Sequence, residues 1–173
     1  MKKLLNYSIL CFALSFGTSC TNQVKVDKPE WQVLNEIQTA RRKQKMLTEA
    51  NLVIEEVNKI ALTNKKKDEL ELKFFKNSLS SQELVERSAD DLVQSIGVVA
   101  LEVKKELSQN DTVIVDIRVI RSLSILLSNQ HKQLQLFFYA FSDGKNRDKF
   151  NALTERVIDL QADMVTAAIC SSL

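Results

Sequence analysis

At 173 residues the chain is long enough for one domain with its own hydrophobic core. Its 24 Lys and Arg nearly balance 22 Asp and Glu, so no global charge argues for nucleic acid or for anionic surfaces. Three glycines, one proline and one histidine exclude a turn-rich sheet protein and leave little material for a hydrolase triad.

Lys2 and Lys3 open the chain, Leu4 to Phe16 form a mostly apolar run, and Gly17-Thr18-Ser19 leads into Cys20. This is the order of a secretory signal: charged end, apolar middle, small-residue cleavage site. The run is shorter than the roughly 20 residues that span a bilayer, which favours a cleaved peptide. Residues 1–20 resemble a bacterial lipoprotein signal, although Gly17 stands where such signals usually carry Leu. The resemblance implies cleavage after residue 19 and acylation of Cys20. With Thr21 next, and no Asp there, it also implies an outer-membrane lipoprotein facing the periplasm. Cleavage by ordinary signal peptidase, giving a soluble secreted or periplasmic protein, is the alternative. Removing residues 1–19 takes away Lys2 and Lys3 and no acid, so the mature chain carries 22 positive and 22 negative residues.

Residues 20–28 are short and polar and read as a tether. The helical domain is expected over 29–173. Pro29 suits the first turn of a helix, where its missing N–H is harmless. Val33, Ile37 and Ala40, then Leu47, Ala50, Ile54, Val57 and Ala61, recur at three and four and predict one apolar stripe facing a partner helix. The basic runs at Arg41–Lys45 and Lys65–Lys67 read as solvated faces or turns. Asp68 to Ser78, with Leu70, Phe74 and Phe75, predicts a short helical connector.

Ser80 and Glu83 have the spacing of a capping box. Val85, Ala89, Leu92, Ile96, Val99 and Val103 follow as the next seam, and Gly97 beside it reads as a small residue for close helix approach. Asn110-Asp111 supplies a cap. Thr112 to Ile120 is rich in β-branched residues, but Val113, Ile117, Ile120, Ser124, Leu127, His131, Leu134, Phe138 and Phe141 keep a helical step too long for a strand. Ser142-Asp143-Gly144 is a turn. Phe150, Leu153, Val157, Leu160, Met164 and Ala167 mark the last helix.

The fold class expected is all-α: an up-down antiparallel four-helix bundle of long helices, with a short helical connector between the first and second. That topology puts Cys20, Trp31 and Cys170 at one end. Phe74, Phe75, Phe137, Phe138, Tyr139 and Phe141, with Phe150, gather at the other. The aromatic end either plugs the core or binds a partner. An acylated Cys20 leaves Cys170 a lone thiol, whereas a free Cys20 could pair with it.

No motif names a reaction. There is no C-x-x-C-H, no Glu-x-x-His pair, no zinc spacing and no phosphate-binding glycine loop. Surface acids such as Asp90 and Asp91 read as solvation. His131 reads as a structural hydrogen bonder level with 155–159. Its remote alternative is a heme ligand, with Met46 or Met164 supplying sulfur. The expected function is that of a non-enzymatic, envelope-anchored protein with no cofactor and no nucleic acid. It binds another envelope protein as an assembly, chaperone-like or inhibitory factor, and contacts the membrane through an N-terminal lipid. The alternative is a periplasmic bundle that binds heme or another small molecule.

Overall fold

The structure is a computed structural model that describes residues 29–109, 116–138 and 144–170. These form five helices and no strand among the described residues: α1 (Glu30–Ile60), α2 (Asn64–Phe75), α3 (Ser81–Gln109), α4 (Ile117–Phe138) and α5 (Gly144–Cys170). The chain divides into two compact units, Met1–Val33 and Leu34–Leu173, and the core belongs to the second. No described helix is long and apolar enough to cross a membrane. The signal, Cys20, the tether to residue 28 and the 110–115 segment lie outside the described residues.

One hydrophobic core joins α1, α3, α4 and α5. Met46, Ala50, Val53 and Val57 of α1 meet Val93, Ile96, Val99, Ala100, Val103 and Leu107 of α3. Ile120, Leu127 and Leu134 of α4 and the whole expected stripe of α5, from Phe150 to Ala167, complete it. Burial of such side chains, each worth about 1.5–3 kcal/mol, supplies most of the stability of helices that would be marginal alone. At Gly97 α1 and α3 pack closely. A Cβ built there would lie 3.0 Å from Val57 Cγ1, so any residue larger than glycine requires the Val57 side chain to shift.

The first stripe departs from expectation. Val33, Ile37 and Ala40 are exposed, and no residue of α1 before Met46 is buried. The reason is geometric. At about 100° per residue, Ala40, Val33 and Ile37 stand about 120–180° around the helix from Met46, on the side away from the core line. The residues that do line up with Met46 and Val53 upstream are Asn35, Thr39 and Arg42, all polar.

Local chemistry sets the helix ends. Thr63 caps α2 through a hydrogen bond from Lys66 N–H. At the other end Asn77 adopts φ 51°, while Asn77 N–H donates to Phe74 O and Ser78 N–H to Lys73 O. This is a Schellman stop with asparagine in the left-handed position. The capping box of α3 forms reciprocally: Glu83 N–H donates to Ser80 Oγ at 3.2 Å and Ser80 N–H to Glu83 Oε2 at 3.0 Å. Helix α4 is capped by Asp116, which accepts from Arg118 N–H at 2.9 Å; this bond holds the Asp116 carboxyl below its usual range. The residue read as its cap, Asp111, lies outside the described residues.

Candidate functional site

Helix α2 is fastened along the start of α3 by charge. Lys66 pairs with Glu86, Lys67 with Asp90 at 3.1 Å, Arg87 with Glu71 at 2.6 Å and Lys73 with Glu83 at 2.5 Å. From Lys67–Asp90 through Glu71–Arg87 to Lys73–Glu83 the pairs ascend one helix as they descend the other, so the two run antiparallel. Exposed pairs are each worth about 0–1 kcal/mol, and Leu70 is the one side chain of α2 that is buried. Arg87 also lies 4.2 Å from the centre of the Phe74 ring, a cation–π contact. Glu83 is held down to about 2, first by the Lys73 ammonium and then by its bonds from Ser80.

Fixed in this way, α2 turns an apolar face outward. Phe75 is 78% exposed and Leu72, one turn earlier, 56%. The Phe74 ring meets Phe75 edge-on with centroids 6.1 Å apart. On α4, Leu136 is 75% exposed and Phe137 half-buried. Phe150 does not join this surface: it is buried and packs into the core. It floors two clefts, one of about 200 Å³ shared with Lys66, Glu86 and Asp90, and one of about 400 Å³ shared with Leu134, Leu136 and Thr154. The base of α2 and the end of α4 therefore flank one buried ring. Of the aromatic residues singled out from sequence, Phe74, Phe75 and Phe137 are brought to this end. The Phe138 side chain, Tyr139 and Phe141 lie outside the described residues, as does Cys20.

Asp90 corrects the solvation reading. It is 8% exposed; its Oδ1 accepts from Leu62 N–H at 2.9 Å and its Oδ2 meets Lys67 Nζ at 3.1 Å. One carboxylate thus ties the α1–α2 loop and α2 to α3. The lysine run is correspondingly more than a solvated turn, because Lys66 and Lys67 both make ion pairs. Asp91, one residue on, is exposed as expected.

His131 is 6% exposed, and its Nε2 lies 3.4 Å from Gln135 Nε2, a neighbour on its own helix. Burial lowers its pKa below 6.5. Met164 lines a cleft beside Ser124, and His131 stands seven residues along α4, about 10 Å away. The sulfur and the imidazole therefore do not converge. Among the described residues no group of three His, Cys, Asp or Glu could hold a metal ion. Cys170 is an exposed free thiol.

Leu72 and Leu136 were missed in the sequence because a leucine off the apolar seam carries no signal of whether anything covers it. Only packing reveals which of them nothing covers. Compared with known protein families, curated proteins and solved structures, the chain matches none.

Proposed function

We propose that this is a non-enzymatic, envelope-anchored helical protein that binds another protein through the apolar end carrying α2. The observation that carries the reading is the outward face of α2, with Leu72 and Phe75 exposed on a helix pinned by four ion pairs. Large exposed apolar side chains held in a fixed frame suit a docking surface, because little ordering entropy is left to lose on binding.

The long helices form, in this reading, an up-down four-helix bundle with α2 as its connector. Registers between neighbours support it. Lys45 meets Asp163 at 2.6 Å and Lys149 Nζ donates to Lys59 O at 3.1 Å, so α1 and α5 run antiparallel. Leu62 with Asp90 and Val57 with Gly97 give the same relation for α1 and α3. Cleavage before Cys20 and its acylation would fix the chain to the outer membrane, facing the periplasm.

Crosslinked co-purification from membranes, followed by mass spectrometry, identifies the partner. Replacing Leu72 and Phe75 together by Ser removes about 3–6 kcal/mol of apolar burial and weakens capture by more than about 100-fold, while circular dichroism stays helical. Undiminished capture by this variant would overturn the assignment of the site.

A further inference from the structure

Helix α1 carries a second apolar face that none of the described residues covers. Leu34 is 52% exposed and Ile37 43%, and Ala40 is exposed on the same side. Their polar counterparts, Asn35, Thr39 and Arg42, occupy the line that becomes the core stripe from Met46 onward. The amphipathic sense of α1 is therefore reversed between its two halves: apolar outward before residue 41, apolar inward after 46. A helix that merely overhung its bundle would have no need of an outward apolar face.

Charge and chain length select the occupant. Residues 21–45 hold six basic side chains (Lys25, Lys28, Arg41, Arg42, Lys43, Lys45) against three acidic ones (Asp27, Glu30, Glu36), in a mature chain that is neutral as a whole; of these, Lys45 pairs with Asp163 of α5. A basic amphipathic helix suits an anionic lipid surface. Cys20 precedes Pro29 by nine residues, a reach of at most about 30 Å, so an acyl group on Cys20 would keep this helix beside the bilayer. Leu34 and Ile37, even with the exposed Trp31 and Val33, are too few to build the roughly 800 Å² per partner of a standard protein interface. A weak apolar contact becomes effective when a tether makes it intramolecular.

We propose that α1 upstream of Met46 docks on the anionic lipid surface next to the anchor. Leu34 and Ile37 enter the headgroup layer and Arg41 meets lipid phosphates. The proposal rests on acylation of Cys20 for its biological setting, but the contact is testable without the lipid.

Trp31, the only tryptophan, is exposed and lies one turn before Leu34, so it reports the contact directly. The chain from residue 20, with Cys20→Ser, is mixed with vesicles of phosphatidylethanolamine and phosphatidylglycerol. Trp31 emission moves to the blue, the shift weakens with salt, and it is smaller on pure phosphatidylcholine. Leu34→Ser with Ile37→Ser lowers partitioning about 100-fold with helicity unchanged. Unshifted emission at saturating lipid, or equal partitioning by the double variant, overturns the proposal. So does a blue shift that grows with protein concentration without vesicles, which means a second copy on this face. The intact mass of protein from cell membranes tests the anchor separately. An unacylated Cys20 with a vesicle-induced shift removes the anchor and keeps the docking, whereas an acylated Cys20 without a shift removes the docking and keeps the anchor.

Discussion

At the scale of single residues, His131 is the side chain whose environment most clearly opposes its charge. It is buried in the α4 seam between Leu127 and Leu134, and its Nε2 lies 3.4 Å from Gln135 Nε2. The unfolded chain takes up a proton near pH 6.5, while burial pushes the folded value lower. The unfolded state therefore binds more protons as pH falls below 6.5, and the fold loses stability over that range. The expected outcome is a melting temperature that declines between about pH 7 and pH 5, with the decline abolished in His131→Gln. A slope unchanged by the substitution would mean that other groups carry it. Glu83 does not confuse the measurement. Its carboxyl is held down from 4.5 to about 2, so its contribution is lost only as pH falls below 4.5.

At the scale of elements, Asp90 decides where α2 sits. Its two oxygens serve different segments: Oδ1 receives the Leu62 N–H of the α1–α2 loop, and Oδ2 faces Lys67 of α2. Asp90→Ala leaves a part-buried N–H without its acceptor and removes a charged hydrogen bond, a loss of about 3 kcal/mol or roughly 6–12 °C in melting temperature. Asp90→Asn keeps the acceptor and gives up only the ion pair, so its cost is about 1 kcal/mol. Asp91→Ala, at the exposed neighbour, stays within about 0.5 kcal/mol. Thermal melts of the three variants check this order, and equal losses at 90 and 91 would refute it. The same element shows what the sequence could reveal. The seams of α3 and α5 were legible because apolar spacing reports burial wherever a neighbour packs on it. The capping box was legible because its two partners are three residues apart. The role of Asp90 was not, because its partner lies 28 residues away at Leu62 and the acid looks identical to Asp91 in isolation. The outward face of α1 was misread for a related reason. Periodicity states that a helix has an apolar side, and only tertiary structure states whether that side meets protein.

At the scale of the molecule, the arrangement of the long helices is open to a chemical test where Val57 meets Gly97. A Cβ at position 97 would stand 3.6 Å from Val57 Cβ, inside the range of about 3.5–4.5 Å that a disulfide requires. Val57→Cys with Gly97→Cys, in a Cys170→Ser background to remove the exposed thiol, should therefore crosslink α1 to α3 on mild oxidation. The bridge closes a loop of about 40 residues, from 57 to 97, and restricts the unfolded chain by up to about 4 kcal/mol. Part of this is offset by the lost Val57 methyls, since trimming a buried valine leaves a small void. The net expectation is a higher melting temperature when oxidised and a lower one when reduced, both relative to the parent. The sign of the difference is informative because Gly97 has no side chain to lose: any stabilisation on oxidation must come from the crosslink between two helices that already touch. The proposed up-down bundle would make α1 and α3 antiparallel neighbours joined through α2, in which case the bond forms within one chain at every protein concentration. Crosslinked dimers in place of a faster-migrating monomer would instead mean that α1 finds its α3 on another copy, and the four-helix topology would have to be redrawn as an exchange of helices between chains.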